Sequence, residues 1–174
     1  MKKISLILFF IILCSVSVSA QQLRVRVFSQ QKIKQTSFVP SFGRYSVEID
    51  GNLTRLSRTS NVKLSALNGK VEIRINDSVF ANSEKVTFKS EGIKSFFRLK
   101  PITPEIAERR YDDALEVSVN NNGNLLLINV VEQENYIAGV VQSETWGATK
   151  NIDFFKVQAI CCRNYLFRNM NKHS

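Results

Sequence analysis

Between residues 21 and 131 apolar side chains recur at every second position in a series of short runs, and that period constrains the fold more than any other feature. Residues 23–28 read Leu-Arg-Val-Arg-Val-Phe, apolar against basic, the pattern of a strand with one face in a core and the other in water. Similar alternation returns over residues 45–49, 62–67, 71–75, 86–88 and 96–99. Turn residues separate these runs at Asp50-Gly51-Asn52, Asn68-Gly69 and Glu91-Gly92. Asn68-Gly69 is a hairpin signal, because both residue types accept the positive φ that a tight two-residue turn demands. Pro101 and Pro104 predict a connection. A strand then begins within residues 110–117, turns at the asparagine-rich residues 120–124, and returns over residues 125–131.

The period changes near residue 132. Ile137, Val140, Val141 and Glu144 stand at i, i+3, i+4 and i+7, one face of a helix. Glu132 and Glu134 suit its N-terminal end. A second helix with a wide apolar face is predicted over residues 152–170, with Asn151 as N-cap and Asp153 in its first turn. The chain therefore reads as α+β: a β-rich N-terminal region, a strand pair, and two consecutive α-helices.

Residues 1–20 read as an export signal ahead of a single domain over residues 21–174. Lys2 and Lys3 precede an apolar run over residues 4–13, and Val18-Ser19-Ala20 is a small-x-small cleavage site. Leu13 before Cys14 disfavours lipid attachment, which usually follows a small residue. The expected location is the periplasm or cell envelope, with peripheral envelope association open. Removal of the signal leaves 22 basic against 15 acidic side chains. In an exported protein that charge is expected either to meet anionic wall or membrane-surface polymers, rather than nucleic acid, or to serve solubility alone. Cys161 and Cys162 are adjacent on a helix, a poor geometry for a mutual disulfide, and read as small core residues. The one histidine, His173, rules out a Cys/His zinc cluster and makes a Ser-His-Asp triad improbable. No metal or cofactor is expected.

Two segments carry a resemblance. Glu134, Tyr136, Ile137, Gly139, Val140, Val141, Ser143 and Glu144 are followed by Phe155, Lys156, Val157, Gln158, Ala159, Ile160, Cys161, Cys162, Arg163, Asn164 and Tyr165. This resembles the SpoIID/LytB family of cell-wall proteins, whose pattern runs roughly Glu-x-Tyr-Leu-x-Gly-Val-Val-x-Ser-Glu, then Leu-Lys-Ala-Gln-Ala-Val-Ala-Ala-Arg-Thr-Tyr. The resemblance implies action on peptidoglycan, either as a lytic transglycosylase or as a wall-binding or amidase-enhancing module without catalysis. Its implied partners are glycan strands and a cell-wall amidase. It also implies a domain that continues beyond residue 174, and offers a correspondence of Arg110 and Tyr111 to a family Arg-Tyr pair, against a default of strand packing and surface charge.

By position, the family's catalytic acid falls on Glu144. On the apolar stripe that carboxyl is expected to be partly withdrawn from water. The open alternative is a helix that ends there, with the side chain in solvent. Gln158, Cys161, Cys162 and Tyr165 share one stripe, so Gln158 and Tyr165 are candidates to orient Glu144 or a sugar hydroxyl. They can equally satisfy backbone groups. Lys156 and Arg163 share a face and are candidates to read wall anions, against a default of solvated charge. Trp146 is a candidate to stack on a sugar ring or to cap the core. Gly139, mid-helix, admits either close strand packing or approach of a glycan.

Overall fold

The computed structural model describes residues 21–145 and 151–169; the export-signal reading for residues 1–20, Trp146 and His173 fall outside them. Ten strands form one antiparallel sheet: β1 (Gln22–Arg26), β2 (Gln35–Ile49), β3 (Asn52–Leu56), β4 (Val62–Leu67), β5 (Lys70–Ile75), β6 (Ser78–Ser83), β7 (Lys85–Thr103), β8 (Arg109–Asp112), β9 (Ala114–Val119) and β10 (Leu125–Glu132). Helices α1 (Gln133–Glu144) and α2 (Ile152–Asn169) follow, so the class is α+β.

The sheet is two limbs that share β2 and β7. The second half of β2 pairs with residues 86–91 of β7, and β9, β10 and β1 continue outward from there. The first half of β2 pairs with residues 96–103 of β7 and with β4, which leads to β5 and β6. Register shifts at residues 40–44 of β2 mark the crossing between limbs. Gly43 sits at that crossing with φ +82°, where an added Cβ would come within 2.2 Å of Ser95 Oγ. Only glycine fits both the backbone angle and the space. With the sheet bent this way, β5 meets β9 and β7 across one core.

Aromatic rings hold the limbs together. Phe38, on β2 before the crossing, stacks on Phe88 at 4.0 Å and on Phe97 at 4.9 Å between centroids, and meets Tyr45 edge-on at 5.5 Å. All four are fully buried. Such pairs add about 0.5–1.5 kcal/mol each beyond the area they bury.

Several turns follow from local chemistry. Asp50-Gly51 and Asn68-Gly69 close hairpins with both residues at positive φ, as their types allow. Asn76-Asp77 closes a third hairpin in the same way; without a glycine it gave no signal in sequence. Glu91-Gly92 is not a turn: the runs at 86–88 and 96–99 belong to one strand, β7, with Gly92 inside its irregular middle. Pro101 likewise lies within β7 rather than in a connection, paired opposite Thr36.

Phe38→Ala is expected to cost about 3–5 kcal/mol, read from urea unfolding. Phe80→Ala, on the outermost strand β6 where the ring is 46% exposed, is expected to change stability by no more than about 0.5 kcal/mol.

Candidate functional site

Where β10 gives way to α1, backbone N–H groups lose their sheet partners before helix partners exist. Glu132 takes the N-cap position of α1 without a side-chain cap of its own. The cap comes from Asp113, at the junction of β8 and β9 with φ +64°. Its Oδ2 accepts the Glu132 N–H at 2.8 Å and the Asn135 Nδ2 at 3.2 Å. The Gln133 N–H donates to the Gln21 carbonyl at 2.9 Å, which ties the helix start to the beginning of β1. Tyr45 Oη, from inside the core, donates to the Asp113 carbonyl at 2.8 Å. Burial pushes that phenol up, with the charges of Asp113 and Asp112 adding to it. Sequence inspection placed Asp113 in a strand and missed this role; a carboxylate just before an apolar run is a weak signal.

α1 buries Ile137 and Val141 and ends at Glu144. Thr145 closes it, with both its N–H and its Oγ1 donating to the Val141 carbonyl at 3.0 and 2.6 Å. Glu144 is therefore the last helical residue, and its side chain is exposed rather than partly withdrawn. The helical stripe ran one step too far, because a carboxylate at a helix end can turn outward at no cost in burial.

α2 begins as its sequence predicts, with Asn151 Oδ1 accepting the Asp153 N–H at 2.9 Å. It packs on α1 through one partly covered face that includes Phe155, Gln158, Ala159, Cys162 and Leu166, and none of its residues is buried. Two polar links cross the seam. Gln158 Nε2 donates to Glu144 Oε2 at 2.5 Å. The Arg163 guanidinium grips both oxygens of Glu134. That hydrogen bond holds the Glu134 carboxyl below its ordinary range and pushes Arg163 up. Burial, then the charges of Cys162, Tyr165 and Glu144, push the Tyr136 phenol up, which places these four groups in one electrostatic neighbourhood. Burial, Glu144 and Cys161 likewise raise the Cys162 thiol.

Of the residues singled out from sequence, Gln158 meets Glu144 directly. Tyr165 is 72% exposed and Cys161 is also exposed, so the stripe does not face inward as a whole. A helix packed on one neighbour covers about a third of its circumference, and these two fall outside that third. Lys156 is exposed and paired with Asp153 at 3.0 Å within its own helix. Arg110 lies across the Phe96 ring at 3.9 Å, and Tyr111 is half-buried beside Phe28 and Phe97. Among the described residues no group of three His, Cys, Asp or Glu side chains could hold a metal ion.

The structure thus presents a carboxylate at the end of a helix seated on β1 and β10, held by an amide from a second helix that packs on the first. Comparison with known proteins agrees on the class. Residues 121–174 match the model of the SpoIID family, described as a stage II sporulation protein. The likeness is carried by this C-terminal segment, which holds both helices. Neither the curated proteins nor the solved structures yield a match.

Asp113→Ala is expected to cost about 1.5–3 kcal/mol, the usual worth of hydrogen bonds to a charged group, with hydrogen exchange speeding first at the start of α1. Glu134 makes a second test. Its pKa is lowered by folding, so its contribution is complete above the unfolded value of 4.5 and is lost as pH falls through the lower folded value. Exchange of α2 amides should accelerate across that acid range in the wild type, and Glu134→Gln should remove this pH step.

Proposed function

We propose that the chain is an exported protein acting on peptidoglycan, a lytic transglycosylase in which Glu144 is both acid and base. The observation that carries the reading is the Gln158–Glu144 hydrogen bond, which joins the two helices of the family-matched segment at the carboxyl the resemblance designates as catalytic. An amide donor on one carboxylate oxygen fixes the rotamer and leaves the other oxygen for the substrate.

Glu144 protonates the glycosidic oxygen as the bond from muramyl C1 breaks. The resulting carboxylate takes the proton from the muramyl 6-hydroxyl, whose oxygen closes on C1 as a 1,6-anhydro ring. The proton lost in the first half returns in the second, and no water is consumed. One carboxyl suffices, whereas most hydrolytic glycosidases need two. Its exposure lets a long polymer reach it, and the glycan laid over it displaces the water around the reacting atoms. Arg163, committed to Glu134, fixes the seam between the helices. Lys156, open to solvent, is the candidate to meet peptide or anionic groups farther along the strand, and Tyr165, also open to solvent, to meet a sugar hydroxyl; Trp146, proposed to stack on a sugar ring, lies outside the described residues.

A second reading, a wall-binding or amidase-modifying module without catalysis, draws on the apolar side chains that α2 presents to solvent: Ile152, Phe154, Val157, Ile160 and Phe167. Mass spectrometry of peptidoglycan, intact and peptide-stripped, separates the two. Anhydromuramyl ends are expected from the wild type and not from Glu144→Gln. Ends from both variants would remove Glu144 from the mechanism. Wall binding by both without anhydro ends would establish the module.

A further inference from the structure

α2 is apolar on two opposite sides. Phe155, Ala159 and Leu166 lie half-covered against α1. On the outer side Phe154 is 45% exposed and Val157 60%, with Ile160 and Phe167 between them. A helix that is apolar all round is normally covered all round, and contiguous exposed apolar side chains mark a contact surface.

The charges on that outer face say what fits it. Successive helical residues step by about 100° around the axis. On that count Asp153, Val157, Asn164 and Arg168 fall within about 30° of one line, opposite the side laid on α1. Ile160 and Phe167 flank the line on one side, Cys161 and Phe154 on the other. Asp153 is exposed in the first turn, and Arg168 is exposed in the last. Asp153 pairs at the surface with Lys156 of its own helix, and Arg168 makes no ion pair among the described residues.

These positions are self-complementary. Asp153 and Arg168 stand equally far, about 11 Å along the axis, from a midpoint between Ile160 and Cys161. An antiparallel second copy centred on that midpoint sets each Asp153 level with the other copy's Arg168. It also sets Val157 level with Asn164, and Ile160 with Cys161. A parallel copy would set aspartate against aspartate and arginine against arginine, and such like-charge contacts disfavour it. Exposed ion pairs contribute little affinity. The apolar side chains therefore hold the two helices, while the charges fix their direction and register. We propose that the outer face of α2 is the contact of a homodimer, antiparallel and centred between Ile160 and Cys161. Gln158 lies away from this contact, on the side of α1. Pairing thus seats the lightly held helix from behind and leaves the bond to Glu144 in place. The inference stands apart from the peptidoglycan reading, which needs only one copy.

The test uses the mature chain with its thiols reduced. In sedimentation equilibrium between about 1 and 300 µM, the wild type is expected to pass from monomer to dimer mass. Asp153→Arg and Arg168→Asp should each weaken self-association about tenfold, because each brings like charges level with one another. An equimolar mixture of the two variants should recover it, since every pair then joins opposite charges. A bis-maleimide with a spacer of about 8 Å, close to the separation of packed helix axes, should join Cys161 to Cys161. Cys161→Ser should abolish that product. A wild type that stays monomeric throughout overturns the proposal and leaves the face to a different partner. So does a dimer indifferent to both charge changes, or one that the reagent does not join at Cys161. Should a charge variant fail to fold, the cross-link in the wild type still decides.

Discussion

The carboxylate of Asp113 is the joint on which the C-terminal part of the molecule turns. A strand that becomes a helix without a loop leaves its first amide hydrogens without partners, and buried amides must find them. Asp113 meets the Glu132 N–H and the Asn135 side chain from a neighbouring strand junction, while Tyr45 holds its carbonyl from the core. Its φ of +64° suits aspartate and asparagine better than most residues. One residue therefore turns the chain from β8 to β9 and fixes where α1 begins. The position of Glu144, the twelfth and last residue of that helix, is inherited from this contact.

The second helix is held differently. α1 buries Ile137 and Val141, whereas no residue of α2 is buried. α2 rests on a half-covered face and on two polar links, Gln158 to Glu144 and Arg163 to Glu134. Exposed ion pairs contribute little, and segments with few buried contacts open most readily. The carboxylate thus sits on the seam between a firmly seated helix and a lightly seated one. The side of the seam that can yield also carries the amide that orients the carboxylate.

Much of this was legible in residue patterns. Alternation found the strands around residues 23–28, 45–49, 62–67 and 71–75, and Asn68-Gly69 found its hairpin, because period and turn chemistry are local properties. The helix pair and the Asn151 cap were legible for the same reason. Glu91-Gly92 and Pro101 misled: turn residues also occur where a long strand bends, and only pairing with β2 reveals that β7 continues through them. Sequence also implied that Glu144 and the Cys161–Tyr165 stripe face inward. Periodicity gives the faces of a helix but not which of them has a neighbour, and α2 has one on a single side.

What the sequence determined by itself is the class and order of elements, strands then two helices, together with the residues that carry the family resemblance. These depend on interactions within a turn or two of chain. Tertiary structure decided the rest: the crossing at Gly43 that folds one sheet over itself, the capping of α1 by a residue nineteen positions upstream, and the meeting of Gln158 with Glu144. Each joins groups distant in the chain, and no local preference encodes such a distance; the bending of β2 and β7 around their aromatic core sets it.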